Sequence, residues 1–231
     1  MDVRRSVADP AFDADTNIIG TINLLQNAIQ SNVKKFMFAS TGGAIYGEQE
    51  YFPADEKHPM APLSPYGISK LAVEKYLYFY NVQYGLKYSI LRYANIYGPR
   101  QNPHGEAGVV AIFSKKLING EQPVINGDGK QTRDYTFVKD VVKANLLTLN
   151  DNVSDIYNVG TAKETDVNEL FNMINDLTGN GQEEKHGPAM PGEQLRSVIT
   201  SRKLKEKFGW SPSTTIQEGL MSTVKYFKEN N

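Results

Sequence analysis

The sequence predicts an α/β fold: a partial doubly wound parallel sheet joined to a smaller, mixed α/β lobe. Three observations predict it. Helix-like and strand-like segments alternate through the first 98 residues, the pattern of crossover connections between parallel strands. The two strand-like segments, Lys34–Ser40 (KKFMFAS) and Lys87–Ala94 (KYSILRYA), are short and largely apolar. After Pro99 the texture changes to shorter elements broken by Gly and Pro.

Taken in order, residues 14–31 read as an amphipathic helix. Ile18, Ile22, Leu25 and Ile29 recur at helical spacing, and Asp13 or Asp15 can cap it. The strand Lys34–Ser40 follows. Residues 64–84 form a second helix, with Ser64 suited to the N-cap and Pro65 to the first helical position. The strand Lys87–Ala94 comes next, then a loop over 99–108. Residues 109–120 look helical and end at Gly120, and Pro123 to Gly129 holds a strand and a turn. Residues 138–150 look helical, and Ile156–Val159 is a short strand ended by Gly160. Asp166 with Glu169 starts a helix over 167–178, residues 180–194 form a loop, and Thr215 with Glu218 is a capping box for the last helix. The expected division is therefore 1–98 and 99–231, with 138–160 returning to the main sheet.

Composition narrows the function. The chain has 231 residues, 40% hydrophobic and 22% charged, which suits one large domain or one and a half. A formal net charge of -1 argues against a nucleic-acid or anionic-membrane partner recognised by bulk charge. The absence of cysteine excludes disulfides, thiolate metal sites and a cysteine nucleophile, and fits a cytoplasmic setting. His58, His104 and His186 are far apart in sequence, so no metal site is expected. No apolar run approaches the roughly 20 residues of a membrane-spanning helix, and the first residues lack the apolar core of a signal peptide.

The segment that carries chemistry is Tyr66-Gly67-Ile68-Ser69-Lys70, downstream of Ser40-Thr41-Gly42-Gly43-Ala44-Ile45-Tyr46-Gly47. Tyr66 and Lys70 are four residues apart on the expected helix and share a face. A phenol titrates near 10 in water, and a neighbouring ammonium favours its phenolate. That pairing makes a base for removing an alcohol proton. Ser40 or Thr41, at the end of a strand, can hold the alcohol in line, because ligands in open α/β sheets bind at strand C-termini. Spacing alone is weak support, since Tyr135 and Lys139 form a second Tyr-x-x-x-Lys. The first copy is favoured by its capped helix and the Ser-Thr-Gly-Gly strand end before it.

The chain resembles the extended short-chain dehydrogenase/reductases, which have a Rossmann-like fold, and most closely the UDP-glucose 4-epimerases. The motifs DVRRSVADP, NIIGTINLL, STGGAIYGE, SPYGISK, LRYANIYGPRQ, GDGKQTRDYTFVKD, YNVG and PGEQLRS carry that resemblance along essentially the whole chain. It implies NAD as cofactor, a nucleotide-sugar substrate and a homodimer built on the 14–31 and 64–84 helices. It implies that Tyr66 is the catalytic base and acid, Lys70 its partner and a ligand of the nicotinamide ribose, and Thr41 the hydroxyl on the sugar 4-OH. By the same resemblance Asn17 and Tyr93 touch the cofactor, with Ser40 beside them. Asn95 and Arg133 bind the diphosphate, Glu193 the uridine ribose, and Ser197 lies where a small residue admits an N-acetylated sugar. Structural alternatives stand beside these roles: Arg133 pairing with Asp134 or Asp140, and Asn95 as a loop cap.

Related dehydratases and decarboxylases carry an acidic residue just after the Ser/Thr. Gly42-Gly43-Ala44 carries none, which favours epimerisation over those reactions. Two departures remain. No Gly-x-x-Gly-x-x-Gly turn matches the family's opening strand, so the reading expects roughly 60–90 residues of the dinucleotide-binding half to be missing. Met190 stands where this branch usually has an arginine. These departures keep open a non-catalytic nucleotide-sugar-binding remnant and a sibling dehydratase or dehydrogenase.

Overall fold

The computed structural model describes residues 3–104, 108–190 and 194–230. Helices α1 (Val3–Ala8) and α2 (Pro10–Ala14) lead through a π-helical turn (Asp15–Ile19) into α3 (Gly20–Gln30). The single helix expected over 14–31 is thus interrupted and starts earlier. Asp9, not Asp13 or Asp15, is the cap: its carboxylate accepts from the Phe12 N–H at 3.0 Å, with Pro10 opening the helix.

Strand β1 (Lys35–Thr41) passes into the five-residue helix α4 (Gly42–Tyr46). Helix α5 (Pro65–Tyr84) begins where Ser64 Oγ accepts from the Gly67 N–H at 3.2 Å, and ends at Gly85 in the left-handed conformation. Strands β2 (Lys87–Tyr93) and β3 (Asn95–Tyr97) follow.

The remainder comprises α6 (Val109–Ile118), β4 (Ile125–Asn126), β5 (Thr132–Arg133), β6 (Tyr135–Phe137), α7 (Val138–Leu149) and β7 (Asp155–Val159). It continues with β8 (Thr165–Asp166), α8 (Val167–Thr178), β9 (His186–Gly187), β10 (Arg196–Ser197), α9 (Arg202–Phe208) and α10 (Ile216–Glu229). The segment expected as a loop over 180–194 contains β9, which pairs with β4.

The main sheet has the order β1-β2-β7, all parallel. Alternation along β2 sorts its side chains between two helical layers. Tyr88 and Ile90 pack with Phe36, Phe38, Leu25, Val73 and Leu77 under α3 and α5. Leu91 packs with Tyr157, Val159, Val141 and Ala144 under α7. Helices on both faces explain why the strands read as nearly continuous apolar runs. The second lobe buries its own core, in which Phe113, Leu117, Phe171, Ile174, Leu220 and Val224 join α6, α8 and α10.

Strand β7 is hydrogen-bonded to β2 in the main sheet, although it lies between elements of the smaller lobe. The C-terminal ends of β1, β2 and β7 are therefore side by side, with Thr41 opposite Tyr93 and Tyr93 opposite Val159. This edge of the sheet faces the second lobe.

Candidate active site

Thr41 ends β1 and caps α4, where its Oγ1 accepts from the Ala44 N–H at 3.2 Å. The contact uses the oxygen as an acceptor and leaves the hydroxyl proton for another partner. The turn is narrow because its residues are small. A Cβ on Gly43 would lie 3.4 Å from Ser197 Oγ, and one on Gly67 would lie 2.6 Å from the Ala44 carbonyl oxygen. Glycine at 67 thus allows the start of α5 to pack directly on α4, which carries Tyr66 to the same strand end.

Tyr66 is partly buried, and its backbone N–H donates to Ser6 Oγ at 3.2 Å. Lys70 lies one turn on. Its Nζ is 5.7 Å from the centre of the Tyr66 ring, 4.7 Å from that of Phe38, and donates to the Ala39 carbonyl at 2.9 Å. Burial pushes the Tyr66 phenol above its ordinary range, and the charge of Asp13 adds to that. Burial lowers Lys70, and Asp13 opposes it. Burial thus acts on Tyr66 in the direction opposite to the ammonium-assisted phenolate that the spacing leads one to expect.

Ser40 departs from its expected role. Its hydroxyl is buried and donates to Glu74 Oε1 at 2.6 Å. Glu74 in turn receives two bonds from Arg92, Nε at 3.0 Å and Nη2 at 2.6 Å. Arg92 Nη1 donates to Tyr46 Oη, which donates to Asn158 Oδ1 at 2.8 Å. This network ties β1, α5, β2, α4 and β7 together beneath the site. Only an arginine within an otherwise apolar strand segment, SILRYA, signalled it in the sequence.

Asn17 donates to Asp13 Oδ1 at 2.9 Å, and Tyr93 donates to Asn145 Oδ1 at 2.9 Å. On β3, the Asn95 N–H donates to the Asp134 carbonyl, and its side-chain amide makes no hydrogen bond among the described residues. Arg133 lies in β5, in register with the buried Ser197 of β10 and with Thr165 of β8. Arg133 Nη1 donates to the Thr132 carbonyl at 2.8 Å, and the two carboxylates named as alternative partners accept from other groups as well. Asp134 accepts from Thr161 and Ala162, and Asp140 from Ser213, Thr214 and Lys143. Glu193 lies outside the described residues. Met190 is exposed.

The second Tyr-x-x-x-Lys is no rival. Tyr135 lies on a strand, buried against Tyr97, while Lys139 is exposed on α7. The sequence reading also missed Asp13 as an inward group and Gln49, whose Oε1 accepts from the Val198 N–H beside Ser197 at 3.1 Å. Among the described residues no cluster of metal-ligating side chains occurs, and no helix is long and apolar enough to cross a membrane.

Comparison with known proteins places this geometry among others. Residues 1–223 match the family model described as GDP-mannose 4,6 dehydratase. The UDP-glucose 4-epimerase of Mycolicibacterium smegmatis is 41% identical over the whole chain, which spans 74% of that protein. The crystal structure of a UDP-glucose 4-epimerase from Thermotoga maritima with UDP-glucose superposes with a TM-score of 0.97 at 49% identity, over 99% of this chain and 74% of that one. A Thermus thermophilus UDP-glucose 4-epimerase in complex with NAD gives 0.92 at 43% identity, over 98% of this chain and 74% of that one.

Proposed function

This chain belongs to the nucleotide-sugar epimerase and dehydratase family of extended short-chain dehydrogenase/reductases, and we propose that it inverts C4 of a UDP-hexose, interconverting UDP-glucose and UDP-galactose with NAD. The observation that carries the reading is the convergence at the end of β1: Lys70 beside the Tyr66 ring and on the Ala39 carbonyl, two residues from Thr41.

The residues present fit the cofactor. Lys70 makes one hydrogen bond among the described residues, so its other ammonium protons can meet ribose hydroxyls. Tyr93 lies opposite Thr41 at the same strand end, and Asn17 is on the π-helical turn that packs against α5. Ser40, turned inward to Glu74, supports the site from below. NAD, when bound, supplies the acceptor and then the donor of the C4 hydride.

The chain's own residues do the rest. Thr41 donates its hydroxyl proton to the sugar 4-oxygen and holds it against Tyr66. Tyr66, as phenolate, takes the 4-hydroxyl proton and later returns it to the 4-oxygen, after the 4-keto sugar has turned so that its opposite face meets the returning hydride. Lys70 stabilises the phenolate while the proton is away. Asn95 and Arg133 hold the diphosphate, Arg133 as a bidentate fork, and Glu193 holds the uridine ribose, so the sugar can turn without leaving. No carboxylate follows Thr41, so the residues at 42–44 offer no extra base for eliminating water, as a 4,6-dehydratase requires.

A second reading concerns the sugar. Ser197 is small and packs beside Gly43, so no bulky side chain stands at that position, and the proposal extends to UDP-GlcNAc and UDP-GalNAc as further substrates. A homodimer belongs to the same proposal, since Leu24, Ile68, Phe79 and Val82 expose apolar surface along α3 and α5.

Titration of the purified protein with NAD, followed by UDP-galactose, tests the reading. Saturable NAD binding followed by formation of UDP-glucose is expected. Nucleotide-sugar binding without any NAD binding would instead favour a non-catalytic binding protein.

A further inference from the structure

Asp134 joins β5 to β6 and is buried, at 1% exposure. A carboxylate taken from water needs compensation by hydrogen bonds or an opposite charge. One turn supplies most of the hydrogen bonds. Oδ1 accepts from Thr161 Oγ1 at 2.6 Å and from the Thr161 N–H at 2.9 Å. Oδ2 accepts from the same N–H at 2.9 Å and from the Ala162 N–H at 3.1 Å. The Thr136 hydroxyl and the Ile199 N–H stand farther off, at 3.5 Å.

That turn begins where β7 ends in the main sheet. Its backbone is shaped to the carboxylate. A Cβ on Gly160 would lie 2.6 Å from Asp134 Oδ2 and 2.5 Å from the Ile199 side chain, so only glycine lets the strand end come this close. Ala162 takes a φ of 58°, a conformation that residues other than glycine adopt at some cost.

The main chain of Asp134 reaches the other way. Its carbonyl accepts from the Asn95 N–H at 2.8 Å, and its N–H donates to the Ser197 carbonyl at 2.9 Å. Arg133 precedes it in β5, in register with Ser197. Asn95, Arg133 and Ser197 thus stand on separate strands, β3, β5 and β10, and each is joined to Asp134 by a covalent or a main-chain hydrogen bond. These strands are two or three residues long and make few ladder bonds of their own. The Asp134 side chain ties the group to the end of β7, through charge-assisted bonds stronger than a neutral acceptor would make.

We propose that Asp134 is a positioning residue for the nucleotide sugar: its buried carboxylate, gripped by Thr161 and Ala162 at the end of β7, fixes Asn95, Arg133 and Ser197 relative to the main sheet. The inference rests on the reading of those three residues as substrate contacts. Thr41, Tyr66 and Lys70 stand on β1 and α5, and none of the Asp134 hydrogen bonds goes to either element. Loosening the anchor should therefore weaken the hold on substrate and spare the chemical step.

Asp134→Asn keeps the shape and places an amide N–H₂ where Thr161 and Ala162 also donate. KM for UDP-galactose is expected to rise about tenfold, with kcat at saturation within about a factor of two of the unaltered protein. Hydrogen exchange followed by mass spectrometry reads the anchor without cofactor or turnover. Exchange is expected to quicken together over 94–98, 130–137, 159–163 and 195–199, and to stay unchanged in β1 and β2. Thr161→Val removes the 2.6 Å bond and keeps the carboxylate. It should give the same pattern to a smaller degree, and it carries the test if Asp134→Asn does not fold.

Faster exchange confined to 159–163 with an unchanged KM would reduce Asp134 to the cap of a turn and overturn the proposal. Exchange quickened through β1 and β2 as well, or a loss of kcat at unchanged KM, would overturn it too. The outcome is separable from the function. If the unaltered protein does not turn over UDP-galactose, the epimerase reading fails, while the exchange pattern still decides whether Asp134 anchors the three strands.

Discussion

Tyr66 sits in a conflict that sets its chemistry. Removal of an alcohol proton needs a phenolate, yet burial and Asp13 both favour the phenol. The sign of the pH dependence follows. A base must start deprotonated, so kcat/KM is expected to rise with pH along its acid limb, and a raised phenol places that limb higher than an unperturbed pair would. Tyr66→Phe keeps the ring packing and removes the proton acceptor. Its kcat is expected to fall by about 10²–10⁴-fold, with UDP binding measured by calorimetry nearly unchanged. Lost UDP binding in a folded variant would mean that Tyr66 is a structural residue. The buried Glu74–Arg92 pair works differently, since neither group reaches the cleft. Glu74→Gln leaves a buried guanidinium short of its counter-charge and is expected to destabilise the fold by about 3–5 kcal/mol, read from urea unfolding. A change within the scatter of surface substitutions would contradict the network described.

At the scale of elements, the connection between β6 and α10 carries a pH prediction. Asp140, at the start of α7, accepts from Ser213 Oγ at 2.7 Å and the Thr214 N–H at 3.0 Å, and meets Lys143 at 3.2 Å. Burial alone would raise its carboxyl, but the bonds from Ser213 and Thr214 and the one from Lys143 win and hold it low. A carboxyl lowered in the folded state stabilises above its unfolded value near 3.9 and loses that contribution as pH falls through the folded one. Thermal melts of Asp140→Asn and the unaltered protein are therefore expected to differ at pH 7 and to draw together progressively as the pH falls from about 4 through the lower folded-state value.

Elements were legible in the sequence where local chemistry set them. Ser64 and Pro65 marked the start of α5, and Thr215 with Glu218 closed a capping box at α10. The two-residue strands β5, β8, β9 and β10 were not, because two residues carry no periodicity and their partners are distant in the chain. Helix α9 escaped because RKLKEKF buries only Leu204 fully. Tyr66, Lys70 and Thr41 could be found from their spacing and their strand end. Asp13 could not, because nothing local distinguishes an inward aspartate from a cap.

For the whole molecule, the parallel sheet brings the ends of β1, β2 and β7 to one line, and Ser197 of β10, in register with Arg133 of β5, packs beside Gly43 at the end of β1. The exposed apolar stripe on α5 predicts association. Light scattering should give a dimer for the unaltered protein and a monomer for Phe79→Glu with Val82→Glu. A monomer in both would refute the proposed interface. The central claim is the reaction itself, and the direct measurement is proton NMR of UDP-galactose incubated with the protein and NAD. The account predicts the UDP-glucose anomeric signal growing to equilibrium, absent with Tyr66→Phe. Unchanged UDP-galactose in the presence of bound NAD, or a 6-deoxy-4-keto product, would contradict it.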